Sequence, residues 1–356
     1  MLRHLLHWIQ RRLVKWIQVN REFPIQIDIT NACNLSCVHC YHKDHLNAGA
    51  LSLNEWIGVL DQYEAMIKKM GYRPLVIICG GEPFTSPFLY RLLENVRARE
   101  SIFRIIVITN GTLIATGYGR NILEKIRHFP NLSFQISVDG PSEATHDIAR
   151  GLGSFKKSME GIKILRQLGL KVSIITILSK RTSALIDDFF VLAKEVGAQG
   201  VGFTRFISQG FGSSLLAAGH DRGLEPIELR DAFRGIIRAA SIYGIRSITS
   251  EPLMHLVHPG LGRSGRFFEG LVVDHQGNML ASSRSRIIIG SALNGGLEIE
   301  YHNSKLLKDL RKGKIDKCSA CRSISICGGD RNAAFAATGS FLGADPGCWA
   351  NLKSAV

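Results

Sequence analysis

Short apolar runs alternate with stretches in which apolar residues recur every three or four positions, from near the start of the chain to about residue 207. The runs at 25–30 (IQIDIT), 75–79, 104–109, 132–138, 171–177 and 200–206 are rich in β-branched residues. Each gives way to turn-forming residues, which predicts six strands. Helical periodicity fills 53–70, 89–99, 121–128, 154–168 and 183–196. Such alternation builds a parallel sheet through right-handed crossovers. Six units fall short of a closed eight-unit barrel. The expected fold class is therefore α/β, a partial (β/α)6 TIM-like barrel with its ligands at the C-terminal ends of the strands.

Beyond residue 207 the pattern changes. Residues 209–223 are Gly-rich and aperiodic, as in a connector or lid. Residues 226–242 read as a helix with Pro226 in its first turn, and 266–280 as a hairpin turning at Gln276-Gly277-Asn278. At the start of the chain, Leu2, Leu5, Leu6, Ile9, Leu13, Trp16 and Ile17 share one helical face, with Arg3, Arg11, Arg12 and Lys15 largely elsewhere. This basic amphipathic helix is expected to pack over the open barrel end. A peripheral membrane contact is the alternative. The chain thus divides into an N-terminal helix (1–22), a barrel core (23–225) and a C-terminal domain (226–356).

Composition narrows the class. Hydrophobic residues at 45 % and charged residues at 21 % are a globular balance. No apolar run spans a membrane, and the N-terminal segment is too charged for a signal peptide, so a cytoplasmic location is expected. There the 8 Cys point to metal or redox chemistry before disulfides. A net charge of +14 permits an anionic partner such as a membrane surface, nucleic acid or acidic peptide. No nucleic-acid-binding module is present, so none of that class is expected.

Cys33, Cys37 and Cys40 form C-x3-C-x2-C directly after the first strand. Three thiolates on one loop can hold three irons of a four-iron cluster and leave the fourth open. Zinc, completed by His39 or His42, is the alternative on spacing alone. The next three strands end in Gly80-Gly81-Glu82-Pro83, in Thr109-Asn110-Gly111-Thr112, and in Ser137-Val138-Asp139-Gly140-Pro141 followed by His146-Asp147 and Arg150-Gly151. One ligand at the barrel mouth could touch all four motifs.

These motifs, in this order, resemble the radical SAM superfamily. The resemblance implies that Cys33, Cys37 and Cys40 carry a [4Fe–4S] cluster whose open iron binds S-adenosylmethionine. By the same resemblance His39 lies near the adenine, while Gly80, Gly81 and Glu82 suit the methionine amino group. Ser137 and Arg150 hold its carboxylate, Asp139 supports the ribose side or the loop, and Asn110 belongs to the same cofactor-binding set. Reductive cleavage would then give a 5′-deoxyadenosyl radical that abstracts hydrogen from a substrate, with electrons from a donor such as flavodoxin or ferredoxin.

The tail carries Cys318, Cys321, Cys327 and Cys348, four thiols with no spare ligand. They describe a closed site, either a complete four-iron cluster or structural zinc. The stretch 318–348 resembles the C-terminal half of SPASM domains, the auxiliary-cluster domains of many radical SAM enzymes. A full SPASM domain has a second set of cysteines. Here 260–266, Ala281-Ser282-Ser283 and Asp330-Arg331 stand in their places. The resemblance therefore implies a reduced, twitch-like domain with one auxiliary cluster, and two [4Fe–4S] clusters in all.

Cys79, beside Gly80, is a small core residue or a thiol aimed at the site. Asp330 and Asp345 are candidate bases near the tail thiols, or turn and cap residues. The expected function is oxidative modification or maturation of a peptide or protein side chain. Because the first strand begins so early, a separate peptide-recognition protein is expected with it. The alternatives are a small-molecule dehydrogenase, epimerase or tetrapyrrole-pathway oxidoreductase, and a non-catalytic iron–sulfur carrier.

Overall fold

The computed structural model describes residues 22–350 except 43–45, 218, 220, 263, 266–269 and 295. The amphipathic helix expected at 1–22 lies outside the described residues but for Glu22. Among the described residues, ten strands form one sheet: β1 (Glu22–Thr30), β2 (Arg73–Gly80), β3 (Arg104–Thr109), β4 (Leu132–Ser137), β5 (Lys171–Leu178), β6 (Gly200–Arg205), β7 (Arg246–Ile248), β8 (Leu271–Val273), β9 (Asn278–Leu280) and β10 (Ile288–Ser291). Their order is β10-β9-β8-β1-β2-β3-β4-β5-β6-β7. From β8 to β7 all neighbours are parallel, while β9 and β10 add antiparallel.

The six predicted strands are β1–β6, with bounds within a few residues of those expected. Two additions close round them. β7 pairs with β6, and β8 pairs with β1, so the sheet continues across residue 226 at both edges. The predicted hairpin is shorter than expected and comprises β8 and β9. The region 209–223 contains a helix, Phe211–Ala217.

The period-2 pattern sorts side chains between two environments. On β2, Val76 and Ile78 are fully buried in the hydrophobic core, while Leu75, Ile77 and Cys79 line the barrel bore. The helix Leu53–Met70 starts at a Ser52–Glu55 capping box and buries Trp56, Leu60 and Tyr63 completely. Burial of each such side chain is worth about 2–3 kcal/mol. Tyr63 also staples the sheet: its hydroxyl accepts from Leu75 N–H at 3.0 Å and donates to Phe23 C=O. Among the described residues, no helix is long and apolar enough to cross a membrane.

Candidate active site

The loop carrying Cys33, Cys37 and Cys40 leaves β1 and is tied to three neighbours. Val38 N–H donates to Ala149 C=O at 3.0 Å, Asn34 Nδ2 to Thr112 Oγ1 at 2.8 Å, and Phe211 N–H to Cys40 C=O at 2.9 Å. The turn after β2 is pressed against the same loop. Gly81 N–H donates to Thr30 C=O and Glu82 N–H to Ala32 C=O, both at 2.8 Å. A Cβ on Gly81 would lie 2.2 Å from Ala32 O, so only glycine lets the two backbones meet.

Glu82 is buried beneath this junction. Its carboxylate accepts from Thr109 Oγ1 at 2.6 Å, Asn110 N–H at 2.8 Å and Phe84 N–H at 3.1 Å. Burial pushes its pKa up, and those hydrogen bonds with Thr109, Asn110 and Phe84 work against the rise. Glu82 therefore joins the ends of β2 and β3, and it is not part of the cavity wall. Thr109, which sequence reasoning left as a turn residue, is its partner. Asn110 Nδ2 donates to Asn34 Oδ1 at 3.0 Å, and its Oδ1 accepts from Thr112 N–H at 2.9 Å.

A cavity of ≈ 1160 Å³ fills the bore. Its wall includes Cys33, Cys37, Cys40, His39, Cys79, Gly80, Gly81, Asn110, Ser137, Asp139 and Arg150. The structure thus brings to one cavity every residue named above for the cluster and S-adenosylmethionine except Glu82. Asp139 organises the far wall. It accepts from Arg150 Nε at 2.6 Å, His39 Nε2 at 3.1 Å and Ile177 N–H at 3.0 Å. Burial alone would raise its pKa, but the Arg150 guanidinium and His39 outweigh burial and hold it well below the usual carboxylate range. Arg150 also points Nη1 toward Cys37 Sγ at 3.9 Å. His146 Nδ1 accepts from Asp139 N–H at 3.2 Å, which requires a neutral ring. Burial first, then Arg150, pulls its pKa down to about 4.

The donor sets suit multi-iron clusters. Burial pushes the Cys33 thiol up to about 11 and also raises those of Cys37 and Cys40. A bound cation would reverse that burden and deprotonate them. His39, a candidate fourth ligand for zinc, is turned to Asp139 instead. Among the described residues, no three His, Cys, Asp or Glu side chains are set to hold a single metal ion. In the tail, burial pushes Cys318 to about 11 and Cys327 to about 12, with Cys348 adding to both rises. Ser323 N–H points at Cys321 Sγ and Gly329 N–H at Cys327 Sγ, each at 3.4 Å, as hydrogen bonds to cluster thiolates do. The buried Arg331 has its Nη2 unpartnered and adds positive charge beside Cys318 and Cys327.

The three candidate catalytic groups separate. Cys79 stands on the cavity wall, and burial pushes its thiol well above the ordinary range, with Asp28 adding to the rise. Asp330 and Asp345 are not on the wall. Asp330 caps the helix Arg331–Thr338 through Asn332 N–H at 2.7 Å. Asp345 holds Arg205 through two bonds of 2.9 and 3.0 Å and accepts from Asp330 N–H at 2.7 Å. Asp345 ties the tail to the end of β6, and Asp330 is committed to its helix terminus. Arg205 was passed over in the sequence, although it is the last residue of a barrel strand, where functional side chains gather.

A second cavity of ≈ 980 Å³ adjoins the first. Tyr41, His42, Gln209 and Arg284 line both.

Comparison with known proteins gives concordant results. The sequence profile described as the Radical SAM superfamily matches residues 27–193. An AdoMet-dependent heme synthase of Methanosarcina barkeri is 28 % identical over 90 % of this chain and 94 % of its own. The mycofactocin maturase MftC of Mycobacterium tuberculosis is 28 % identical over 95 % of this chain and 86 % of its own. Among solved structures, Streptococcus suis SuiB bound to precursor peptide SuiA has a TM-score of 0.69 at 16 % identity, covering 87 % of this chain and 72 % of that one. That likeness extends to the fold, including the partial barrel and the cysteine-bearing C-terminal region.

Proposed function

Through residues 27–193 the chain belongs to the radical SAM superfamily, and from that premise we propose that it oxidatively modifies a peptide side chain. It is a radical SAM enzyme that uses S-adenosylmethionine and a [4Fe–4S] cluster. The observation carrying the reading is the single cavity walled by Cys33, Cys37, Cys40, Gly81, Ser137 and Arg150. Cys33, Cys37 and Cys40 would hold the cluster, and Cys318, Cys321, Cys327 and Cys348 an auxiliary one, within a C-terminal domain spanning 226–356. Held by Cys33, Cys37 and Cys40, the cluster would supply one-electron reductive cleavage of the sulfonium of S-adenosylmethionine.

The chain's own residues do the positioning. Glu82 locks the ends of β2 and β3, and Gly81 admits the cysteine loop. Asp139 aims Arg150 and His39, with Arg150 and Ser137 offered to the methionine carboxylate. The nearly full-length match to a maturase supports a peptide substrate, and the adjoining cavity offers space for one. Deuterium tracing tests the reading. Label carried from a candidate peptide into 5′-deoxyadenosine supports it, and label carried only from a small molecule overturns the peptide assignment.

Cys79 favours a second reading, redox-neutral inversion. Burial keeps it as S–H, the form that passes a hydrogen atom to a carbon radical. The resulting thiyl would regain one electron from the low-potential donor that drives the reaction and one proton from solvent. Solvent deuterium in the product distinguishes inversion from oxidation.

A further inference from the structure

We propose that Arg284 is a receptor for a carboxylate of the substrate, set at the seam of the two cavities. This rests on the radical SAM reading above but not on whether the substrate is a peptide.

The wall charges are lopsided. The larger cavity presents six Lys or Arg side chains and one carboxylate, Asp139; the smaller presents Arg284 and Arg286 and one carboxylate, Asp274. Both carboxylates are occupied by their own surroundings. Asp139 serves Arg150 and His39, and Asp274 accepts from Gln276 N–H at 3.0 Å and Asn278 N–H at 2.9 Å. The cations differ in how well they are satisfied. Arg205 is held in a bidentate pair by Asp345, and Arg286 bonds Asp28 at 3.1 Å.

Among the described residues, Arg284 is held only from behind. Nη1 donates to Arg205 C=O at 3.2 Å, and Nη2 stands 3.5 Å from Asp330 Oδ2, longer than a charge-assisted hydrogen bond. The remaining N–H groups of its fork are left for the cavities, and 22 % of its side chain is exposed. Ser283 and Ser285 flank it on the walls, with Gln209 on both. A guanidinium that is fixed in place and under-satisfied, on a cavity wall shared with Gln209, fits a planar carboxylate in two-point contact.

The neighbouring acids do not cancel this arrangement. Buried Glu251 is pushed well above the ordinary range by burial and by Asp330, and its Oε2 lies 4.0 Å from Arg205 Nη1. Behind Arg284, Asp345 is paired with Arg205, and Asp330 faces Arg284 at 3.5 Å.

The test uses anaerobically reconstituted full-length protein with S-adenosylmethionine and a fluorescein-labelled hexaglutamate peptide at physiological salt. Hexaglutamine is the neutral control. Wild type should bind hexaglutamate at least about tenfold more tightly than hexaglutamine, and Arg284→Met should lose most of that preference. Arg284→Lys keeps the charge but not the fork and should fall between; it also serves if the Met variant fails to load iron. Arg234→Met, on an exposed helix face, controls for net charge and should bind as wild type does. Equal binding by wild type and Arg284→Met, or equal losses in the Arg284 and Arg234 variants, overturns the proposal. Displacement of the peptide by benzene-1,3,5-tricarboxylate assigns the site to free carboxylates, and resistance assigns it to peptide ones. 5′-Deoxyadenosine from the wild type is measured in parallel: its absence means that the radical SAM reading has failed, independently of Arg284.

Discussion

One methyl group at Gly81 should disable the site. In Gly81→Ala the new Cβ would lie 2.2 Å from Ala32 O and 2.5 Å from Asn31 O, where real Cβ atoms keep at least 3.0 Å. The backbone at residues 31–32 must therefore retreat by about 0.8 Å (3.0 − 2.2). Gly81 N–H···O=C Thr30 and Glu82 N–H···O=C Ala32 are each 2.8 Å and lie in the path of that retreat. Moved by that amount they would stretch to about 3.6 Å, past useful hydrogen-bond length. Two weakened bonds plus overpacking cost roughly 2–4 kcal/mol. Cys33 follows Ala32 directly, so the cluster loop shifts by a similar distance. A misplacement of about 1 Å at a reacting centre costs on the order of a hundredfold in rate. The assays are urea unfolding of the apo protein and 5′-deoxyadenosine formation by the loaded one. Gly58→Ala, in a helix with no atom within 4 Å of its new methyl, is the control and should stabilise by up to about 1 kcal/mol. A Gly81→Ala protein with wild-type stability and turnover would refute the close-approach argument.

Other consequences can be measured. His146 has its pKa lowered from 6.5 to about 4, so its contribution is fully present above about pH 6.5 and lost as pH falls toward 4. The size is roughly 3 kcal/mol, read from urea unfolding across that range; His146→Gln should flatten the slope, and an unchanged slope would remove His146 as its source. Arg205→Met strands the buried Asp345 carboxylate and should cost about 3–5 kcal/mol, whereas a loss below about 1 kcal/mol would contradict the pairing. Cys79 should resist iodoacetamide in apo protein at pH 8 under conditions that alkylate a free cysteine peptide, as mass spectrometry would show; rapid labelling would mean that its thiol is not suppressed.

The barrel was legible in the chain because each of β1–β6 carries its own apolar run and ends in turn chemistry. The three-residue β7 and β8 carry too little pattern to be read; each forms because the sheet edge offers it a partner. The helix Gly117–Ile126 begins before the expected 121 because Thr116 caps it, accepting from Gly119 N–H at 3.1 Å. In the site, cysteine spacing and strand-end motifs pointed to one mouth, and one cavity contains them. What spacing could not tell was how each polar side chain is used. Glu82 stands two residues after Gly80 in an otherwise ligand-like turn, yet its oxygens go to Thr109, Phe84 and Asn110. Asp330 and Asp345 lie near cysteines in sequence but are drawn to a helix terminus and to Arg205. The positive charge, unexplained by composition, gains a partial physical account in the lopsided walls around Arg284.

The central claim is that Cys33, Cys37 and Cys40 hold the cluster that cleaves S-adenosylmethionine. The direct measurement is 5′-deoxyadenosine formed with dithionite after anaerobic reconstitution, with iron counted in the same sample. Two four-iron clusters predict about eight irons per chain and 5′-deoxyadenosine from the wild type. Cys33→Ala should form none while keeping about four irons in the tail site. A loaded wild type that makes no 5′-deoxyadenosine, or a Cys33→Ala variant that makes it undiminished, would contradict the account.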